Sequence, residues 1–248
     1  MMFNQVDLYY FSGTGNTRCI VKKMKEVFVS QKVKVEWRRI EDGFGGVFSG
    51  DVMTGLAFPA NTQSVSPFVW KFIKALPDGR GTKAFVILTL NESAAVLSSV
   101  YRLLKKKNYD PFYAKEISMP NNMLAEKSRT GDERLHEGLK AAVRCAEEIL
   151  MEKRSWDENR KGSGLVSALS GKTGLPRMAM RMMTRLKTDH SKYTGCGVCV
   201  TNCPVNNISD GRRHGGKCEF CMRCAANCPV RAISVKGRDG MTIRKCGE

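Results

Sequence analysis

The chain of 248 residues is short of acidic side chains, with 24 Asp+Glu against 41 Lys+Arg and a formal charge of +17. Histidine is scarcer still: His136, His190 and His214 are the whole complement, and none sits in an acid/base or nucleophile motif. No stretch approaches the roughly 18 consecutive apolar residues of a membrane span. The start, Met1-Met-Phe-Asn-Gln-Val-Asp7, lacks the charged-then-apolar layout of a secretory leader. These absences predict a cytoplasmic protein with no membrane span. The excess of positive charge comes without a helix-turn-helix or RNA-binding signature, so nucleic acid is not the expected partner. It reads instead as a solubilising surface that favours acidic partners. At 42% hydrophobic and 26% charged, the chain has a globular composition. Its length allows one large domain, or a mid-sized domain with a small one attached.

Residues 1–153 alternate strand-like and helix-like segments. The run from Phe3 to Phe11 carries Val6, Leu8, Tyr9, Tyr10 and Phe11, as expected of a strand buried on both faces. A Gly-rich turn follows, and then Ile20, Val21, Met24, Val27 and Phe28 recur at helical spacing. Further strands are expected at Val33–Trp37, Val52–Phe58, Ala84–Leu90 and Phe112–Ser118, and helices at Ser66–Leu76, Ala94–Lys107 and Asp132–Lys153. Arg38–Asp51 is too short for a full crossover helix, which predicts an irregular or abbreviated element there. The alternation implies a parallel sheet covered on both faces.

Residues 154–187 form a basic, Met-rich linker, with a short amphipathic helix expected over Pro176–Lys187. Residues 188–248 contain an internal repeat at an offset of 25: Thr194 to Ile208 aligns with Glu219 to Ile233 through three cysteines, Asn-Cys-Pro-Val and the closing isoleucine. Of ten cysteines, seven fall between Cys196 and Cys228. In a reducing compartment such crowding indicates metal rather than disulfides. Cys19 and Cys145 lie on apolar helix faces and read as buried small side chains.

The second copy, Cys218-x₂-Cys221-x₂-Cys224-x₃-Cys228-Pro229, is the bacterial ferredoxin run. In such a run three thiolates hold one cluster and the fourth reaches across to the other. Cys203 is therefore expected to complete a [4Fe-4S] cluster on Cys218, Cys221 and Cys224. The remaining set, Cys196, Cys199 and Cys228, is one ligand short, because Tyr193 stands where the repeat would place a cysteine. That site has three possible outcomes: a [3Fe-4S] cluster, a [4Fe-4S] cluster with a substitute ligand from Tyr193, His190, Asp189 or Cys246, or a labile, often empty site. Structural zinc also uses Cys-x₂-Cys pairs, but it explains neither the Cys-Pro endings nor the duplication.

Between the first strand and first helix lies Tyr10-Phe-Ser-Gly-Thr-Gly-Asn-Thr17. Ser12, Thr14 and Thr17 offer hydroxyls, Gly13 and Gly15 permit close backbone wrapping, and the helix start supplies amides and a favourable dipole. Together with Asn16, this suits a phosphate monoester such as that of flavin mononucleotide (FMN).

On this turn, Phe58-Pro59, Met119-Pro-Asn-Asn122 and the cysteine motifs, the sequence resembles the flavodoxin–ferredoxin fusion family over nearly its whole length. The resemblance implies an α/β, flavodoxin-like doubly wound five-stranded parallel sheet of order 2-1-3-4-5, joined to a small α+β dicluster ferredoxin-like domain. It also implies FMN at the carboxyl end of the sheet, with Pro59, Ala60, Asn61 and Asn91 in the loops flanking the ring. Those loops depart from the family pattern in carrying no Tyr or Trp to stack on the ring. The implied role is electron transfer between FMN and iron–sulfur clusters, to or from a redox partner with an acidic docking surface. The alternatives are a flavin/iron–sulfur reductase acting directly on a small substrate, and a redox-sensing binding module.

Overall fold

The computed structural model describes residues 3–45, 51–60, 65–90, 96–120, 128–156, 186–209, 212–213 and 217–235. Five strands, β1 (Gln5–Tyr10), β2 (Lys34–Arg39), β3 (Val52–Pro59), β4 (Lys83–Leu90) and β5 (Asp110–Ser118), form one sheet of order β2-β1-β3-β4-β5. All four pairings are parallel, from Val6 beside Val35 and Met53 to Leu88 beside Glu116. This is the flavodoxin-like strand order, and the sequence expectation for the sheet holds.

Helices cover both faces. They are α1 (Asn16–Ser30), α2 (Pro67–Ala75), α3 (Leu97–Lys106) and α4 (Ser128–Leu150). Period-2 alternation in β1 sends Val6, Leu8 and Tyr10 into the layer with Ile20, Met24 and Phe28 of α1 and Ala142, Ala146 and Ile149 of α4. Tyr9 and Phe11 face the opposite layer, with Val69 and Ile73 of α2 and Val100 and Leu104 of α3. Because both faces are covered, β3 and β4 are apolar and buried almost throughout. Cys145 is a free core thiol, 2% exposed, as expected. Cys19 is also buried, 5% exposed, but it is disulfide-bonded, which corrects the reading of it as a plain buried side chain.

Helix α2 starts at Pro67, behind Ser66, whose hydroxyl accepts from the Val69 N–H at 3.5 Å. In the described part of the expected abbreviated crossover lies a 3₁₀ turn at Ile40–Asp42, while residues 46–50 lie outside the described residues. Past α4 the chain stays on the sheet: the Ala114 N–H donates to Ser155 O at 2.8 Å, and Trp156 packs edge-on against Tyr101.

The C-terminal unit consists of short elements: β6 (Leu186–Thr188), α5 (Val198–Thr201), β7 (Ile208–Ser209), β8 (Arg212–Arg213), α6 (Arg223–Ala226) and β9 (Ile233–Val235). β6 pairs antiparallel with β9, and β7 with β8. One expectation is corrected here. Leu186 and Lys187, read from sequence as the end of a helix, are strand, because Val235 and Ser234 of β9 supply their partners. Residues 176–185 of that expected helix lie outside the described residues.

The sequence repeat is also a repeat of backbone. Gly195 and Gly197 have φ of 69° and 70°, and their counterparts 25 positions on, Phe220 and Met222, have 51° and 59°. Asn206 and Arg231 match in the same way, at 48° and 50°. Left-handed conformations cost energy in residues other than glycine, so Phe220 and Met222 hold them against strain, with side chains 4% and 1% exposed.

Candidate functional site

The carboxyl edge of the sheet gathers the turn 12–17 and the ends of β3, β4 and β5. Gly15 caps α1 at φ 109°, a conformation that favours glycine, and offers no side chain to the helix N-terminus. No acidic residue lies in the first turn of α1. The Ser12 hydroxyl accepts from the Gly15 N–H at 3.2 Å and closes the turn on itself. The Asn16 amide donates to Pro120 O at 2.8 Å, tying the turn to the loop after β5. The buried Thr17 and Thr89 hydroxyls lie 2.7 Å apart, tying the start of α1 to β4. Ala60 is 5% exposed and donates to Thr89 O at 3.0 Å, directly after Pro59 at the end of β3. The expected residues Ser12, Gly13, Thr14, Gly15, Asn16, Thr17, Pro59 and Ala60 are thus brought to one edge of the sheet. Asn61 and Asn91 lie outside the described residues.

Burial pushes the Cys221 thiol up to about 11, and the negative fields of Cys218 and Cys203 add to the shift. Burial likewise pushes Cys224 up to about 12, with Cys221, Cys218 and Cys203 contributing. Burial also raises Cys199, and the fields added there come from Cys196 and Cys228. The fields felt at Cys221 and Cys224 thus come from Cys203 and Cys218, and those felt at Cys199 from Cys196 and Cys228.

Each crossing sulfur accepts a backbone N–H: Asn207 to Cys203 Sγ and Ala232 to Cys228 Sγ, both at 3.2 Å. Asn202 and Asn227 fold back alike onto the carbonyls of Val198 and Arg223, at 2.9 and 3.1 Å. Among the described residues no group of three or more His, Cys, Asp or Glu side chains has the geometry to hold a metal ion. Of the candidate substitute ligands, Asp189 already accepts from the Ser191 hydroxyl at 2.6 Å and pairs with Lys192 at 3.3 Å. His190 is exposed and Tyr193 half-buried, and Cys246 lies outside the described residues.

Two functional contacts were not foreseen from the sequence. The Cys221 carbonyl lies so close to Gly13 that a Cβ there would stand 2.0 Å from the oxygen. Arg223, 6% exposed, donates from Nε and an Nη to Ser12 O at 3.0 and 2.8 Å, and forms an ion pair with Glu41. Its guanidinium also lies 5.0 Å from the centre of the Phe11 ring. A signal existed in the sequence: within the repeat, Arg223 stands opposite Val198.

The arrangement is a polar turn at the carboxyl edge of the sheet, with the backbone of the half-buried Cys221 directly against it. Comparison with family models finds no match, and comparison with characterised proteins finds none either. Among solved structures the chain is similar to a flavodoxin from the domain Archaea, at 15% identity over 59% of this chain and 99% of that one, TM-score 0.41. A flavodoxin of Streptococcus pneumonia TIGR4 shares 14% identity over 60% of this chain and 99% of its own, TM-score 0.43. General stress protein 14 of Treponema denticola, solved in complex with FMN, shares 10% identity over 59% and 99% respectively, TM-score 0.40.

Proposed function

We propose that the protein transfers electrons between an FMN bound at the carboxyl edge of the sheet and two iron–sulfur clusters in the C-terminal unit. The observation that carries this reading is the duplicated loop. Matched cysteines, matched left-handed residues and matched N–H···S bonds recur at an offset of 25.

Soft thiolates in a duplicated Cys-x₂-Cys run that ends in Cys-Pro are the donors a cluster takes. One zinc draws all its sulfurs to about 2.3 Å of one centre. A cluster instead takes each thiolate on a different iron, and so needs a wider set. Cys203, Cys218, Cys221 and Cys224 would hold a [4Fe-4S] cluster. Cys196, Cys199 and Cys228 would hold the second, as [3Fe-4S] or as [4Fe-4S] with one non-cysteine ligand. Bound iron would supply the positive charge that holds these sulfurs as thiolates.

For the flavin, support comes from the strand order, whose switch falls where β1 meets β3, and from the turn beside it. Helix α1 begins there with neither a side-chain cap nor an acidic residue. Its first amides and the Ser12, Thr14, Asn16 and Thr17 side chains would grip the phosphate. Bound flavin supplies exchange of one or two electrons, while a cluster exchanges one. The chain's own part is to hold the two close together, keep water from the Cys221 side, and present a basic surface to an acidic redox partner.

Iron counted per chain after strictly anaerobic purification tests the reading. About eight irons mean two four-iron clusters, about seven a three-iron second site, and about four an empty one. A colourless, zinc-loaded protein that binds no FMN would overturn it.

A further inference from the structure

The two halves of the C-terminal repeat are alike in backbone but not in surroundings. Cys196, in the first copy, is exposed, whereas its counterpart Cys221 packs against the sheet core that contains Phe11 and Ala60. Val198 in the first copy is replaced by Arg223 in the second. Every strong contact of the Arg223 side chain reaches across to the N-terminal unit: Ser12 O, Glu41 and the Phe11 ring. Its remaining contact is a long one, to Asn202 O at 3.5 Å.

We propose that Arg223 is a positioning residue that seats the Cys218–Cys224 loop on the phosphate turn. The Cys203/Cys218/Cys221/Cys224 group is then the flavin-side one, and the incomplete Cys196/Cys199/Cys228 group the outer one. The inference rests on the reading of flavin and clusters given above. Arginine suits the task because its planar fork serves a carbonyl and a carboxylate at once, and a lysine ammonium cannot reproduce that geometry. Glu41, 12% exposed at its side chain, supplies the countercharge without which a buried guanidinium would be expelled.

Two donors on Ser12 O also polarise the Ser12–Gly13 peptide and strengthen the Gly13 N–H on its other side. The seat of the cluster loop and the grip on the flavin phosphate are therefore linked, each favouring the other. With both cofactors bound, Arg223 and Gly13 would hold the Cys203/Cys218/Cys221/Cys224 set on the flavin side, and the exposed Cys196 would leave the other set toward solvent and the redox partner.

The test uses the full chain, purified anaerobically, with Arg223→Lys and Arg223→Ala. Three quantities are read: iron per chain, affinity for FMN against riboflavin (which lacks the phosphate), and the rate at which cluster absorbance bleaches after the flavin is reduced. Arg223→Ala is expected to weaken FMN about tenfold relative to riboflavin and to slow bleaching by at least about tenfold, with Arg223→Lys intermediate. A general loss of structure would weaken both flavins alike, so the FMN-to-riboflavin ratio separates positioning from folding. If Arg223→Ala loses iron, the Arg223→Lys ratio decides. A ratio and rate within about twofold of wild type, with iron retained, overturn the positioning role alone. A wild-type protein that takes up neither FMN nor iron overturns this inference together with the functional reading.

Discussion

Replacing Gly13 with alanine puts a methyl carbon 2.0 Å from the Cys221 carbonyl oxygen and 2.9 Å from its carbon. Both are backbone atoms, so no side chain can swing aside. To restore even the tightest real contact of 3.0 Å, the Cys218–Cys224 loop must retreat by about 1 Å. A retreat of that size carries the Arg223 donors from 2.8 and 3.0 Å to nearly 4 Å from Ser12 O, out of hydrogen-bonding range. Hydrogen bonds to a charged group contribute about 1.5–3 kcal/mol, so the seat loses about 2 kcal/mol. Amide hydrogen exchange reads that loss locally. Amides of the Cys218–Arg223 segment are expected to exchange about 30-fold faster, while the equivalent Cys196–Val198 segment keeps its wild-type rate. Equal acceleration in both copies would point to general unfolding, and no acceleration in either would refute the docking argument.

Cys221→Ser is expected to remove about four irons per chain, whereas Tyr193→Cys should raise iron retention at the other site, both read by iron analysis under anaerobic conditions. If Tyr193→Cys leaves iron content unchanged, position 193 is not where the missing ligand belongs. Thr17→Val strands the Thr89 hydroxyl and should cost about 1–2 kcal/mol, lowering the melting temperature by about 3–6 °C. The double variant with Thr89→Val should cost less than the sum of the single ones. Burial raises the Asp7 carboxyl above its ordinary value of 3.8, and its Oδ2 finds no hydrogen-bond partner among the described residues. The folded state therefore keeps this proton where the unfolded chain has lost it. The contribution is fully present below 3.8 and is lost as pH rises through the higher folded value. Asp7→Asn should accordingly gain stability over wild type at pH 7 relative to pH 4 in urea titrations, and a gain independent of pH would contradict it.

Much of the N-terminal unit was legible because its signals are local. Apolar runs in β3 and β4, helical spacing in α1 and Pro67 behind Ser66 each depend on neighbours within a few residues. The errors occur where the partner is distant. Leu186 and Lys187 continued a helical pattern but are held as strand by residues more than forty positions on. Local propensity cannot register such a partner.

By itself the sequence determined the strand–helix alternation, the Gly-rich turn after the first strand, and the duplication that holds the seven clustered cysteines. All three follow from periodicity, from glycine's backbone freedom, and from a duplication that carries its own register. Only the tertiary structure decided which half of that duplication faces the sheet. Arg223 and Ser12 are 211 positions apart, and the burial of that guanidinium depends on Glu41 being brought to the same place. Whether a charged residue is solvated or buried is set by what surrounds it in space, and an arginine between two cysteines gives no sign of a carboxylate that stands far away in the sequence.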